Sequence, residues 1–139
     1  MPAEYHPRRA TPLHIAARHR HLDVLKLLLS SGADPDALML EDITALHLAA
    51  AGGWIPGINA LVDGSASINP RDACTWETPL HKAARNLEMR AINMLCARGA
   101  DTKTKNVDGQ DYQTLLEYAR RYPDDWRVDP QLGSFCTFY

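Results

Sequence analysis

The sequence predicts an all-α protein built as a solenoid of repeated helix pairs, and three observations support this fold class. A block of eight residues occurs three times, as TPLHIAAR from Thr11, TALHLAAA from Thr44 and TPLHKAAR from Thr78. A second, longer block follows each copy in the same register. Successive copies begin 33 and 34 residues apart, a period typical of stacked helical repeats.

The first helix of each repeat is expected to begin at the repeated threonine. A threonine hydroxyl can cap the free amides of a helix start, and proline suits the first helical position that follows it in two copies. A leucine then begins the buried stripe, and a pair of alanines allows a second helix to approach closely. The block also contains a histidine, predicted to be structural and to bond hydroxyl or backbone groups at the repeat junction: His14, His47 and His81.

The second helix of the first repeat is predicted over Leu22–Ser30, where leucines and a valine form a broad apolar face. In the second repeat, Pro56 and Gly57 open the corresponding helix, and Gly57 weakens it by up to ~1 kcal/mol relative to alanine. That helix is therefore expected to be the shortest or the most mobile. A degraded fourth copy, QTLLEYAR at 113–120, predicts one further helix over Thr114–Arg121.

The repeated blocks resemble the ankyrin repeat family over residues 11–121, through TPLH twice, TALH once, the alanine pairs and Gly-Ala-Asp at 32–34 and 99–101. The resemblance implies stacked helix pairs, connecting β-hairpins and a curved solenoid of about 3.5 repeats. We expect a single ankyrin-repeat domain over residues 1–139, with repeats near 11–43, 44–77 and 78–112, a partial repeat over 113–126 and a tail over 127–139. The tail either folds back as a cap or leaves an end that neighbouring repeats would cover.

Composition and motifs limit the possible functions. The 139 residues include 15 basic and 17 acidic side chains, and a net charge of −2 argues against general nucleic-acid binding. No apolar run is long enough for a membrane span and no secretory signal is visible, and an odd count of three cysteines favours reduced thiols. We therefore expect an intracellular protein, cytoplasmic or nuclear. Without a nucleophile elbow, P-loop or HExxH motif, no enzyme activity, cofactor or metal is expected.

The family resemblance implies that a partner protein binds to the hairpin tips and to the inner face of the first helices. No small-molecule substrate, nucleic acid or membrane is expected as a partner. The residues expected to contact the partner protein occupy these positions in the repeats: Arg18, His19, Leu40, Glu41, Ile43, Trp76, Glu77, Arg85, Asn86, Tyr112, Arg120 and Arg121.

Two features of this surface suggest the chemistry of the partner. Arg18, Arg85 and Arg120 are expected to form a row that accepts an acidic segment, unless they only complement helix dipoles. On this hypothesis Arg85→Glu weakens binding and leaves the melting temperature nearly unchanged. Trp76 occupies a position that is usually glycine in the family, so it either contacts the partner or packs back onto its own loop.

The predicted function is that of a scaffold or adaptor module for protein–protein interaction. Two alternatives remain open at this point. One is the substrate-recognition arm of a ubiquitin ligase or another multiprotein complex, and the other is a purely structural spacer.

Overall fold

The computed structural model describes residues 9–124, which form seven α-helices. Helices α1, α3, α5 and α7 stack as a first row, and α2, α4 and α6 stack as a second row against them. This arrangement confirms the predicted all-α repeat solenoid. The helices are α1 (Pro12–Arg18), α2 (Leu22–Ser30), α3 (Ala45–Ala51), α4 (Ile55–Asp63), α5 (Pro79–Arg85), α6 (Met89–Ala97) and α7 (Tyr112–Arg121).

Helices α1, α3 and α5 begin at the repeated threonine, and a histidine completes each cap. In α3, the Thr44 hydroxyl accepts a hydrogen bond from the His47 amide at 3.2 Å, while Nδ1 of His47 accepts one from the Thr44 amide at 3.1 Å. Because Nδ1 is an acceptor, the proton is on Nε2, which donates to the Glu77 carbonyl at 2.8 Å. The equivalent bonds in the other copies join His14 to Ile43 and His81 to Gln110. The histidines therefore link consecutive repeats, as predicted.

The most enclosed helices lie in the middle of the stack. Every residue of α3 and of α5 is buried, because each of these helices contacts a first-row helix on both sides. Helix α5 nevertheless contains two cations, Lys82 and Arg85. Charged groups in such a position must be paired inside the protein, since an unpaired buried charge is very costly.

Turns, rather than regular hairpins, connect the repeats within residues 9–124. The nearest approach to a strand pair in this range is a single β-bridge between Met39 and Ile43. Neighbouring loops are joined to one another, since the Ala73 amide donates to the Glu41 carbonyl at 2.8 Å and the Val107 amide to the Thr75 carbonyl at 2.9 Å. The loop tips therefore form a continuous edge along the solenoid.

The fourth repeat begins earlier than the sequence match indicated. Helix α7 starts at Tyr112, and its cap is Asp111, whose carboxylate accepts from the Thr114 amide at 2.9 Å. Asp111 lies 33 residues after Thr78, so the regular period is kept and an aspartate replaces the threonine cap. The last two residues of the expected partial repeat over 113–126 and the expected tail over 127–139 lie outside the described residues.

The prediction that the cysteines are reduced thiols is wrong for Cys74, which is disulfide-bonded.

The expectation that α4 is the shortest helix is wrong. Helix α4 spans nine residues, the same length as α2 and α6, although it contains Pro56 and Gly57. Pro56 lies in the first turn, where its missing amide costs little, and Gly57 has a packing role.

Gly57 provides the space for the indole ring of Trp54. A Cβ atom at residue 57 would lie 2.0 Å from a carbon of that ring. We expect Gly57→Ala to lower the free energy of unfolding by about 1–3 kcal/mol, since overpacking outweighs the better helix propensity of alanine. Urea unfolding of the two proteins measures this difference.

Gly52→Ala is the matched control for the Gly57 substitution. Gly52 caps α3 at a φ of −86°, and a Cβ atom there would lie no closer than 3.4 Å to any neighbour. This variant is expected to keep or slightly raise the stability of the wild type. If the two alanine variants unfold at the same urea concentration, the proposed packing role of Gly57 is incorrect.

Candidate partner-binding surface

Large apolar side chains are exposed at three successive loop tips. Leu40 is 57% exposed, Trp76 is 55% exposed and Val107 is 62% exposed. Because the backbone hydrogen bonds between neighbouring loops hold these tips together, the three side chains belong to one edge of the solenoid. We call Leu40, Trp76 and Val107 the loop-tip surface. Several large exposed apolar side chains along one edge mark a candidate binding surface, whereas single exposed ones do not.

Trp76 is held in a strained backbone conformation. Its φ of 57° lies in the left-handed region, which suits the glycine usual at this position and is rare for a bulky residue. The guanidinium of Arg71 lies 5.2 Å from the centre of the indole ring, within cation–π range. The ring therefore contacts its own loop on one side and remains more than half exposed. Strain of this kind costs about 1–3 kcal/mol and is often found at functional sites.

A network of buried charges lies beneath the same loop. Glu77 is fully buried, and its carboxylate accepts hydrogen bonds from Arg85 through Nε at 2.7 Å and Nη2 at 2.6 Å. The side-chain amide nitrogen Nδ2 of Asn106 donates to the same carboxylate at 2.9 Å, and the ammonium of Lys82 lies 3.3 Å from that carboxylate. This charge network joins the loop before α5, helix α5 and the loop that follows α6.

Asp72 completes the charge network from the other end of the loop. Its carboxylate accepts from the Lys82 ammonium at 2.8 Å. It also accepts from the backbone amides of Thr75 and Glu77 at 2.9 and 3.1 Å, which closes the loop before α5, where the 34-residue spacing leaves one residue more than in the preceding repeat. Lys82 is fully buried in a position that an apolar leucine, Leu48, fills in the previous repeat. The carboxylates of this longer loop therefore supply the counter-charges that the buried Lys82 requires.

The charge network keeps both carboxylates ionised. Burial alone would raise the pKa of Glu77, but the hydrogen bond from Arg85 and the charges of Lys82 and Arg85 hold it below its usual value. Burial would likewise raise the pKa of Asp72, and the nearby Lys82 charge and its hydrogen bond lower it instead. The two carboxylates balance the two cations, so the network carries no net charge.

The structure separates the residues expected to contact a partner into three groups. Three are buried, so their side chains are not on the surface: Ile43, Glu77 and Arg85. Three are partly exposed: Glu41, Asn86 and Tyr112. The remaining six are exposed: Arg18, His19, Leu40, Trp76, Arg120 and Arg121.

The expected row of arginines is interrupted at Arg85. This guanidinium is paired with Glu77 rather than available to an acidic partner, because α5 is enclosed by its neighbours. The expectation that Arg85→Glu leaves the melting temperature unchanged is therefore contradicted, since the change would place two carboxylates together in the interior. Arg120 lies on the surface with Nη2 3.7 Å from the Met89 sulfur.

The sequence analysis does not identify two exposed residues, Val107 on the loop-tip surface and Arg20 in the turn between α1 and α2. Val107 precedes Asp108-Gly109, a pair typical of a tight turn, and an apolar residue next to such a turn is a signal of an exposed tip. Arg20 has a φ of 59°, and its Nη2 donates to the Gly52 carbonyl of the next repeat. No residue near it in the sequence could have indicated that contact.

The described residues offer no metal site or membrane segment. Within residues 9–124, no group of three or more His, Cys, Asp or Glu side chains is placed to hold a metal ion. None of the helices described here combines the length and the apolar character needed to cross a bilayer.

Stacked helix pairs, histidine-capped helix starts and a continuous edge of loop tips define a helical-repeat protein of the solenoid class. A family model for ankyrin repeats in three copies matches residues 13–106. The chain belongs to the ankyrin repeat family, whose members are protein-interaction modules.

Similar proteins are found in organisms as different as viruses, yeast and primates. Ankyrin repeat protein FPV244 of fowlpox virus (strain NVSL) is 32% identical over 122 residues, covering 88% of this chain and 17% of the viral protein. Ankyrin repeat and SOCS box protein 11 of Pongo abelii is 28% identical over 109 residues, which cover 78% of this chain and 33% of that protein. The probable 26S proteasome regulatory subunit p28 of Saccharomyces cerevisiae is 32% identical over 105 residues, which cover 74% of this chain and 44% of the yeast protein. This chain therefore spans less than half the length of each of these relatives.

Proposed function

We propose that this chain is a scaffold or adaptor module that binds a partner protein along its loop-tip surface. The observation that carries the proposal is the exposure of Leu40, Trp76 and Val107 on consecutive tips. Tryptophan is enriched among residues that dominate binding energies, and apolar neighbours help to exclude water around it. A partner segment running along the edge would contact all three tips.

The rigidity of the support favours binding at this surface. The charge network holds the loop of Trp76 from below through Asp72 and Glu77, and interloop hydrogen bonds hold it from either side. Little conformational entropy is lost when such a preorganised surface binds its partner. A spacer would have no use for a strained, exposed tryptophan, so the surface argues against that alternative.

The SOCS box proteins among the relatives favour a second candidate function. Their names join ankyrin repeats to a SOCS box. The loop-tip surface would then serve as the substrate-recognition arm of a ubiquitin ligase or another multiprotein complex. Both functions require the same surface and differ in the assembly to which the chain belongs. An intracellular location fits either function and remains a prediction.

Photo-crosslinking tests the loop-tip surface directly. A benzophenone amino acid is introduced in place of Leu40 or Val107, in the cell that makes the protein, and the crosslinked species are identified by mass spectrometry. We expect both sites to capture the same partner protein. Adding Trp76→Gly should reduce that capture about tenfold or more, because it removes the central apolar contact. Glycine accepts the positive φ, so the melting temperature should not fall.

A crosslinker at Leu27 is the control for the loop-tip experiment. Leu27 is 66% exposed, similar to the tips, but it lies on α2 in the second row of helices. It should not capture the same partner. Equal capture from Leu27, or capture from Leu40 that is unchanged by Trp76→Gly, would contradict the proposed surface.

A further inference from the structure

A basic cavity lies between the first and second repeats, away from the charge network. Its volume is about 320 Å³. Arg18, His19 and Arg20 form its polar wall. Its remaining lining consists of small and apolar residues: Ala17, Leu48, Gly52 and Trp54. We call this the basic cavity.

The basic cavity has no acidic group of its own. Three other cavities of the described structure each include a carboxylate: Glu117 in one, Asp36 in the second and Asp108 in the third. Within residues 9–124, Lys82, Arg85 and Arg98 form ion pairs, whereas Arg18 and Arg20 form none. The described part of the chain therefore gives Arg18 and Arg20 no ion-pair partner, although the carboxylate of Glu88 packs against Gly53, next to the lining residues Gly52 and Trp54.

A difference between two consecutive repeats creates the basic cavity. The three residues after the alanine pair are Arg-His-Arg at 18–20 in the first repeat, and Ala-Gly-Gly at 51–53 in the second. Gly52 lines the cavity opposite the long cationic side chains and leaves room there, whereas the side chain of Glu88 fills the space beside Gly53. At the next junction no such room remains, because Asn86 reaches back to the Ala51 carbonyl at 3.2 Å.

The positions of the two arginines do not fit a purely helix-capping role. Arg18 lies in the last turn of α1, but within the described structure it forms no hydrogen bond to the terminal carbonyls of that helix. Arg20 reaches across to the Gly52 carbonyl of the next repeat, which holds its guanidinium at the cavity and leaves its other N–H groups for a ligand. Both cations are thus directed to the space between the repeats.

We propose that the basic cavity binds an acidic side chain, glutamate or aspartate, of the partner protein. This inference rests on the proposed function and names the chemistry of one anchor. The methylene groups of a glutamate would pack against Leu48 and the edge of Trp54, while its carboxylate accepts hydrogen bonds from Arg18 and Arg20. Guanidinium groups suit this task because they bind carboxylates through two parallel hydrogen bonds.

Titration with short peptides tests the basic cavity without knowledge of the partner. A hexaglutamate peptide and its neutral isostere hexaglutamine are added separately to the ¹⁵N-labelled full chain, and amide shifts are followed by NMR. We expect hexaglutamate to shift the amides of residues 17–20 and 52–54 and the indole N–H of Trp54. Arg18→Gln should raise the Kd about tenfold, as the loss of one charge-assisted contact implies.

Arg90→Gln removes another exposed arginine, from α6, and should change the Kd less than twofold. Equal shifts with hexaglutamine, an unchanged Kd for Arg18→Gln, or shifts centred on Arg120 and Arg121 would overturn the proposal. Inorganic phosphate that shifts the same amides more strongly than hexaglutamate would also overturn it, in favour of a phosphate ligand. Trp76→Gly should leave peptide binding unchanged, so failure at the loop tips is distinguishable from failure here.

Discussion

Replacing Glu77 by alanine is expected to lower the free energy of unfolding by about 3–5 kcal/mol. The change would remove the carboxylate that binds Arg85 through two nitrogens and that also contacts Lys82 and Asn106. Both cations would stay inside the protein, because α5 is enclosed by α3 and α7. Only Asp72 would remain to balance them. Urea unfolding at neutral pH, followed by circular dichroism, measures the difference.

An exposed ion pair provides the matched control for the Glu77 substitution. Asp63 pairs with Arg98 across two repeats, but its side chain is 67% exposed. Asp63→Ala removes one carboxylate from an ion pair between repeats in the same way, and it is expected to cost less than about 1 kcal/mol because water screens the pair. Equal losses from the two alanine variants would show that the charge network contributes no more than a surface pair.

The helix starts could be predicted because they depend on residues close together in the sequence. A threonine and a histidine three positions later complete each cap, so the repeated Thr-x-x-His pattern identifies the caps of α1, α3 and α5. The repeated pattern predicts the start of α7 two residues too late, because Asp111 replaces the threonine and no histidine follows three positions later. Aspartate caps a helix as well as threonine does, but it does not continue the repeated pattern.

The burial of Arg85 could not be predicted from the period alone. Its counterpart in the first repeat, Arg18, is exposed on the first of the described helices, whereas Arg85 lies between two neighbouring helices. Its partner Glu77 comes from an irregular loop whose path depends on the hydrogen bonds of Asp72. One signal was present in the sequence, since a lysine at the position of Leu48 requires a buried counter-charge.

The sequence leaves open whether Trp76 contacts a partner or packs onto its own loop, and in the structure the ring is more than half exposed while it also contacts Arg71. A residue with positive φ at a loop tip directs its side chain differently from a residue in extended backbone. Trp76, at the position that is usually glycine in the family, adopts this positive φ, and its indole ring is exposed. The length of α4 shows the reverse case. Gly57 has a low helix propensity, yet the Trp54 ring leaves no space for a Cβ atom there. Tertiary packing, and not helix propensity, therefore determines the length of α4.

The stability of the protein is expected to fall as the pH decreases from 7 to 5. Burial, followed by the charge of Lys82, lowers the pKa of His47 from 6.5 to about 4, and burial lowers the pKa values of His14 and His81 as well. Below pH 6.5 the unfolded chain binds protons that the folded chain does not, so unfolding becomes more favourable. For His47 alone the loss between pH 7 and pH 5 is about 2 kcal/mol. Urea unfolding at several pH values measures it.

A glutamine variant measures the contribution of the buried His47. His47→Gln should flatten the decline in stability by about the amount that His47 contributes. Asp72 and Glu77 do not interfere in this range, because the charge network holds the pKa of each carboxylate below its usual value and both stay ionised between pH 7 and 5. If the slope is unchanged in His47→Gln, then burial does not lower the pKa of His47 in the fold, and the proposed origin of the pH dependence is incorrect.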